Sequence, residues 1–526
     1  MSDSPGNCMA VGRKLAPLLL LFSLSAAANQ ATSDAPASSA NVLPKADACQ
    51  SLIGMKVESG EVNSAQQIRK GESVGSGEAA SAQAAADVCL VRVQLRPTSG
   101  SDITVEIWLP ENWNRKLYGI GGGGFDGGLQ PGSVHAFNKV TGQGYAAVAT
   151  DDGHKSGSSL ETWVHRQPEK VVDFGHRAVH LAAVVAKQVV AAYYSRPAKR
   201  SYFVGCSNGG REAMMQASRY PEDYDGIIAG APAMRYLEVL TQMIWFHEAV
   251  HGPGGSATIG SKLGLVNRAV LAKCDNLDDV KDGILENPLQ CKFDPAELLC
   301  KGKAADDCLT QVEVSTFQKI YGGPRLRTGE QIYAGPALGS EETPAGWAGW
   351  VVPEKTAWFG QEFYRWLVFD DPNWKVENFD IDRDYLHARK RVALIINSDN
   401  PDLSGFAKRN GKLILYAGWY DAGITPAEIV RYYEKVRQHL GSATDDQVRL
   451  FMAPGMAHCA DGPGANSFDM LPALEMWVEH GEPPERIIAV KPGSNPEFTH
   501  PLCPWPRTAR YNGSGPTNDA ASFKCE

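Results

Sequence analysis

A serine between two glycines, Gly205-Cys206-Ser207-Asn208-Gly209, is the segment of the sequence best suited to nucleophilic chemistry. Glycine two residues to either side lets a hydroxyl sit on a tight strand-to-helix turn, where a larger side chain would strike neighbouring backbone. The flanks fit that geometry. Ser201 to Val204 reads as a strand and Arg211 to Arg219 holds strong helix formers, whereas an ordinary Gly/Ser turn requires neither. A serine hydroxyl is a weak nucleophile at neutral pH and needs a base oriented by an acid. On a turn of this kind both arrive later in the chain, the acid before the histidine. Three histidines follow the last strong strand signal, Val448 to Met452. His480 ends an amphipathic helix, where a cation complements the helix dipole, and His500 sits in an irregular tail. His458 lies in Pro454-Gly455-Met456-Ala457-His458-Cys459, directly after that strand, and is the expected base. The preceding strand, Leu413 to Tyr416, runs into Ala417-Gly418-Trp419-Tyr420-Asp421, which makes Asp421 the expected acid. It would hold the imidazole in the productive tautomer, although an aspartate there could serve only as a turn or N-cap residue. Asp402, upstream of the strand, is the poorer candidate.

Acyl transfer at such a serine also needs donors for the developing oxyanion. One is the N–H after the serine, that of Asn208, and the other comes from an early glycine-rich loop. Gly121-Gly122-Gly123-Gly124-Phe125-Asp126-Gly127-Gly128 follows the strand Leu117 to Ile120, and Gly124 is the expected donor. The run lacks the Lys and Ser/Thr of a phosphate loop and meets a dinucleotide fingerprint only loosely. Cys206 beside Ser207 and Cys459 beside His458 would be brought close by the same triad, and a disulfide there would tie the serine's loop to the histidine's. The alternative is an inert buried thiol at Cys206 with Cys459 next to the base by coincidence.

The elements that must position these residues alternate. Ile103 to Leu109, Leu117 to Ile120 and Tyr145 to Thr150 read as strands, Val171 to Tyr194 as a helix, and Asp225 to Ala229 as the strand after the serine's helix. The pattern lapses after Pro232 and resumes at Lys412, with a helix at Pro426 to Leu440 and another at Phe468 to Glu479. Alternation of this kind predicts a mostly parallel sheet covered by helices on both faces, an α/β-hydrolase fold. It is expected in two parts, 29–232 and 409–526, interrupted by an insertion over 233–408. A structureless loop of that length is improbable, so the insertion must fold, as a lid rich in aromatics: Trp347, Trp350, Trp358, Phe359, Phe363, Tyr364 and Trp366.

The net charge of −9 offers no basic surface, which sets nucleic acid and anionic membranes aside as partners. Arg13 and Lys14 precede a short apolar run, Leu15 to Leu24, and then Ser25-Ala26-Ala27-Ala28, the pattern of a signal peptide over residues 1–28. That run is too short to span a membrane, and no later stretch is long and uncharged enough to do so. Of the 11 cysteines, only Cys8 lies in this leader. An even set remains at 49, 89, 206, 274, 291, 300, 308, 459, 503 and 525, which fits disulfides and a secreted or periplasmic location. Within the insertion, Cys274-Asp275-Asn276-Leu277-Asp278-Asp279-Val280-Lys281-Asp282-Gly283-Ile284 sets hard oxygen ligands at short intervals around a turn glycine. Such spacing suits calcium, with Asp275, Asp278 and Asp282 as carboxylate ligands and Val280 and Ile284 lending backbone oxygens. It departs from the EF-hand pattern and suits a solvated acidic turn equally.

Together these residues resemble the tannase and feruloyl esterase family over nearly the whole mature chain. The most specific matches are Tyr202-Phe203-Val204-Gly205-Cys206-Ser207-Asn208-Gly209-Gly210-Arg211, Tyr224-Asp225-Gly226-Ile227-Ile228-Ala229-Gly230-Ala231-Pro232, Pro454 to Cys459, and Pro501-Leu502-Cys503-Pro504. The resemblance implies a serine esterase acting on small esters of phenolic acids, with Ser207, Asp421 and His458 as triad and a Cys206–Cys459 bridge beside it. It further implies structural calcium at Asp275, Asp278, Val280, Asp282 and Ile284, and the pairs Cys49–Cys89, Cys274–Cys291, Cys300–Cys308 and Cys503–Cys525. Trp350 and its aromatic neighbours become ring contacts for the substrate, although such clusters are more often lid core. The family includes an enzyme for mono(hydroxyethyl) terephthalate that holds the free carboxylate with a lid arginine. Between Trp350 and Trp366 only Arg365 is available and it does not align, so feruloyl or galloyl esters are favoured. A catalytically silent binding protein on the same fold would lack a triad member, and none is missing. A peptidase has the same triad, but the aromatic insertion points to small esters.

Overall fold

The computed structural model describes residues 45–75 and 81–526. The expected leader over residues 1–28, with Cys8, lies outside the described residues. Ten strands form one sheet: β1 (Lys56–Val57), β2 (Gly60–Ile68), β3 (Val88–Leu95), β4 (Ile103–Pro110), β5 (Lys116–Ile120), β6 (Ala146–Thr150), β7 (Arg200–Cys206), β8 (Gly226–Gly230), β9 (Lys412–Gly418) and β10 (Val448–Ala453). Their spatial order is β1-β2-β3-β4-β6-β5-β7-β8-β9-β10. The sheet is antiparallel from β1 through β4 to β6 and parallel from β6 onward, so it is mixed rather than mostly parallel. The antiparallel part consists of β1–β3, which lie before the first expected strand, and of the β4–β6 pair, whose two strands are expected but run in opposite directions. β2 is largely polar, whereas β3, Val-Cys-Leu-Val-Arg-Val-Gln-Leu, has a clear strand composition.

The parallel half is buried on both faces. Along β9, Leu413, Leu415 and Ala417 pack on one side with Met214, Leu240 and Tyr433, while Ile414 packs on the other with Phe137, Leu474 and Trp477. Helices α1 (Ser133–Gly142) and α6 (Leu471–His480) cover that second face. Helices α3 (Asn208–Arg219), α4 (Tyr236–Val250) and α5 (Pro426–Leu440) pack against the first, and α2 (Ala178–Tyr194) covers the antiparallel half. β8, β9 and β10 are buried along almost their whole length rather than at alternate residues, and strands apolar on both sides need helices on both faces. The expected helix from Val171 is three consecutive helical pieces, Pro168–Val172, Asp173–Arg177 and α2, the middle one a π-turn.

The chain leaves the sheet after Gly230 and returns at Lys412. The intervening residues hold helices and short turns but no regular strand among the described residues. They do not stand apart from the sheet. Phe363, Tyr364 and Trp366 share one core with Leu413 and Leu415, and a second core of Val266, Phe317 and Trp347 lies further out. The tail after α6 is more regular than the sequence implied, with Ile487–Lys491 pairing Phe498–Leu502 and Ala509–Tyr511 pairing Phe523–Cys525. All five disulfides implied by the resemblance form: Cys49–Cys89, Cys206–Cys459, Cys274–Cys291, Cys300–Cys308 and Cys503–Cys525. No helix of the described residues is long and apolar enough to cross a membrane.

Candidate active site

β7 delivers Ser207 at its C-terminal end and α3 begins at the next residue. Ser207 has φ 64° and ψ −121°, a conformation that costs a non-glycine residue about 1–3 kcal/mol and persists only where its surroundings hold it. They do so here through Ser207 N–H to the Gly230 carbonyl at 3.0 Å and through Arg211 and Ala233 N–H to the Ser207 carbonyl. The flanking glycines are required by packing. A Cβ on Gly205 would lie 2.3 Å from the Gly209 carbonyl oxygen, and one on Gly209 would lie 2.8 Å from that of Gly122.

The loops after β9 and β10 complete the arrangement. His458 Nε2 lies 2.9 Å from Ser207 Oγ and its Nδ1 lies 2.7 Å from Asp421 Oδ2. Asp421 is wholly buried, and its other oxygen accepts the N–H groups of Gly423 and Ile424 at 2.9 and 2.8 Å. Burial alone would pull the His458 imidazole down, but the Asp421 charge and hydrogen bond outweigh it and leave the ring more basic than usual. The Cys206–Cys459 bridge, with Cα atoms 6.1 Å apart, joins the two loops immediately beside Ser207 and His458.

The glycine-rich loop lies against the start of α3. Gly209 N–H donates to the Gly122 carbonyl at 2.9 Å, and Gly124 has φ 62° with its carbonyl accepting from Tyr236 Oη. Among the described residues neither the Asn208 nor the Gly124 N–H donates to a protein acceptor, so both are free to serve an oxyanion. Gly124, Ser207 and His458 open onto a cavity of about 250 Å³. Trp350 forms one wall, its ring 5.5 Å from His458 and edge to face. The other walls are Tyr236, Val239, Leu240 and Met243 from α4 with Phe359 and Ile424. Phe359 is one of the aromatic neighbours of Trp350 expected at the ring, whereas the α4 residues and Ile424 are not among the sequence expectations, although Tyr236, Val239, Leu240 and Met243 follow the i, i+3, i+4, i+7 spacing of one helix face. Among the described residues, no carboxylate, lysine or arginine lines the cavity, and His458 and the Tyr236 phenol are its titratable groups. Arg365 is engaged elsewhere, with Nη1 donating to Glu362 at 2.6 Å and Nε to the Trp374 carbonyl at 3.0 Å.

The acidic loop follows a helix ending at Cys274, and Cys274–Cys291 closes it. Asp275, Asp278 and Asp282 each spend one oxygen on a backbone N–H, of Gly283, Val280 and Ile284 respectively. Burial raises all three acids, and Asp278 is pushed up to about 6 with Glu286 and Asp282 adding to the effect. Hard, mutually repelling oxygens of this kind suit a divalent cation in chemistry. Among the described residues, however, no three His, Cys, Asp or Glu side chains converge as a closed metal cluster, so these carboxylates would have to draw together around an ion. Val280 is buried against Cys503, Ala509 and Phe523, which seats the disulfide-closed C-terminal hairpin on this loop. His480 ends α6 as expected, and His500 lies in a strand, 3.0 Å from Glu286, rather than in an irregular tail. Neither approaches Ser207 in the way His458 does.

A sheet carrying its serine at a strand-to-helix turn, with acid and histidine on the loops after its last two strands, β9 and β10, defines the α/β-hydrolase class. Within that class, the model of the family described as tannase and feruloyl esterase matches residues 89–526. An uncharacterised esterase of Xanthomonas campestris is 33% identical, covering 91% of this chain and 91% of its own. Probable feruloyl esterase B-1 of Aspergillus flavus is 32% identical over 84% of this chain and 86% of its own. The crystal structure of feruloyl esterase B from Aspergillus oryzae covers 92% of this chain and 100% of its own, with a TM-score of 0.84 at 27% identity. Tannin acyl hydrolase from Aspergillus niger shares the fold, with a TM-score of 0.74 at 21% identity over 91% of this chain and 94% of its own. The chain belongs to the tannase and feruloyl esterase family and is a carboxylic ester hydrolase.

Proposed function

We propose that the chain is an exported serine esterase that hydrolyses small esters of phenolic acids through an acyl-enzyme on Ser207. The observation that carries this reading is the hydrogen-bonded series Ser207–His458–Asp421 opening onto an apolar, aromatic-walled cavity. His458 takes the Ser207 proton as Oγ attacks the ester carbonyl, and the Asn208 and Gly124 N–H groups stabilise the tetrahedral oxyanion. Collapse expels the alcohol, which receives the proton from His458. Water, deprotonated by His458, then attacks the acyl carbon, and collapse breaks the bond to Ser207 Oγ, which takes the proton back from His458 as the acid leaves.

An aromatic acyl group fits between Trp350, Phe359 and the α4 face. A free carboxylate on that ring would enter a cavity without a cation, which favours feruloyl or galloyl esters over the terephthalate monoester. Five disulfides and the leader motif support export to a periplasm or the extracellular space. Residues 233–408 act as the lid over the substrate ring, and Asp275, Asp278, Asp282 and the backbone oxygens of Val280 and Ile284 would hold a structural calcium ion. That ion would pin the C-terminal hairpin and takes no part in the reaction.

Initial rates of the mature protein on methyl ferulate, methyl gallate and mono(hydroxyethyl) terephthalate, measured side by side, test the substrate class. Faster turnover of the terephthalate monoester would refute it. Ser207→Ala is expected to abolish hydrolysis and fluorophosphonate labelling while leaving the thermal midpoint near wild type. An active Ser207→Ala protein would remove the mechanism.

A further inference from the structure

Behind the oxyanion loop lies a sealed cluster of polar side chains to which the reaction above assigns no role. Asp152, Asn208, Arg211 and Glu212 are all 1% exposed or less. Glu212 Oε1 accepts from Asn208 Nδ2 at 2.8 Å and Oε2 accepts the Gly122 N–H at 2.9 Å. One carboxyl group therefore grips both segments that carry the oxyanion donors: Asn208 itself, and the glycine loop two residues before Gly124. Arg211 is the neighbouring cation, yet it donates to neutral acceptors, with Nε to Asn208 Oδ1 at 2.6 Å, Nη1 to the Gly175 carbonyl at 2.6 Å and Nη2 to that of Phe174 at 2.9 Å. Its single charge can balance one carboxylate, and the cluster contains two.

Asp152 is the second acid. Among the described residues neither of its side-chain oxygens meets an N–H or O–H donor. The Glu212 charge acts on it, and two ionised acids buried side by side with no donor between them repel each other. Burial raises both acids, and the Glu212 charge lifts Asp152 further, well above the ordinary carboxylate range. A sealed pair beside one arginine is neutral only when it keeps one proton.

We propose that Glu212 is the positioning residue of the oxyanion hole, locked in place by a single proton it shares with Asp152. The inference rests on Asn208 and Gly124 being the oxyanion donors. Ionised Glu212 has an acceptor for each of its two N–H partners. Glutamine at that position has one, so either Asn208 or Gly122 is released and the hole loosens.

Glu212→Gln, Asp152→Asn and Asp152→Ala in the full chain test this. Glu212→Gln is expected to lower kcat on methyl ferulate roughly 30-fold with KM little changed, somewhat less than the loss of a whole oxyanion donor. Its affinity for an arylboronic acid, whose tetrahedral serine adduct places an oxygen in the hole, should fall in parallel. Asp152→Asn keeps a permanent donor toward Glu212 and should stay within about threefold of wild-type kcat, while Asp152→Ala falls as Glu212→Gln does. The infrared difference spectrum between wild type and Asp152→Asn should show the loss of a protonated-carboxyl band. Wild-type kcat and boronate affinity in Glu212→Gln, equal damage from Asp152→Asn and Asp152→Ala, or the lack of that band would each overturn the proposal. Should Glu212→Gln fail to fold, the Asp152 pair and the infrared band still decide. Fluorophosphonate labelling of wild-type Ser207 separates the two readings. Without labelling the triad falls and this inference with it, whereas labelling together with any overturning result removes the positioning role alone.

Discussion

Asp421→Asn isolates what the acid contributes. Asp421 Oδ1 is pinned by the N–H groups of Gly423 and Ile424 at 2.9 and 2.8 Å, so an asparagine must keep its carbonyl oxygen there. Its NH₂ group then faces His458 Nδ1, which in the wild type lies 2.7 Å from a carboxylate oxygen. A donor in that place demands a lone pair on Nδ1, which moves the imidazole proton to Nε2 and points it at Ser207. The base is then in the wrong tautomer although every heavy atom is in position. The expected loss in kcat is roughly 10⁴-fold. At about 1.36 kcal/mol for each factor of ten, it corresponds to about 5.4 kcal/mol of transition-state stabilisation. The sign of the pH effect also follows. His458 accepts the serine proton only when neutral, and Asp421 makes it more basic, so the acid limb of wild-type kcat/KM lies above the ordinary imidazole value of about 6.5. Removing the charge should move the residual limb downward. The assay is kcat and kcat/KM on methyl ferulate across pH, with a thermal melt to establish that the variant is folded. A folded Asp421→Asn protein within tenfold of wild type, or with an unshifted acid limb, would refute the role given to Asp421.

The Cys206–Cys459 bridge closes a sequence separation of 253 residues, and replacing both cysteines by alanine should cost on the order of 3 kcal/mol of stability, read as a lower thermal midpoint. If the bridge also aligns the triad, kcat falls well below the melting range, and an unchanged kcat there would leave it a purely structural tie. Calcium at a hundredfold excess over its dissociation constant should stabilise the protein by about 2.7 kcal/mol relative to the chelated form, and Asp282→Asn should remove that response. An identical midpoint with chelator and with calcium would discard the metal site. Trp350→Ala should raise KM for methyl ferulate about tenfold while Trp350→Phe recovers most of the loss, because the wall of the cavity is a ring surface. Unaltered KM in the alanine variant would exclude Trp350 as a substrate contact.

Local chemistry was legible in the sequence because it is written in short segments. The glycines around Ser207, the strand before it and the helix after it are one continuous run whose geometry follows from local sterics, and the order of acid and histidine placed Asp421 and His458 after two recognisable strands. The mixed sheet was read less well, since β1–β3 add an antiparallel edge through pairings that depend on partners far along the chain. Only the tertiary structure decided what surrounds the serine. Met243 and Phe359 are more than a hundred residues apart in sequence yet line one cavity, and nothing local marks a helix face as facing a substrate rather than a core. The same holds for Asp152 and Glu212. Read singly they are two acids among 60, and their shared burial beside one arginine, which sets their protonation, exists only once β6, α3 and the glycine loop have packed together.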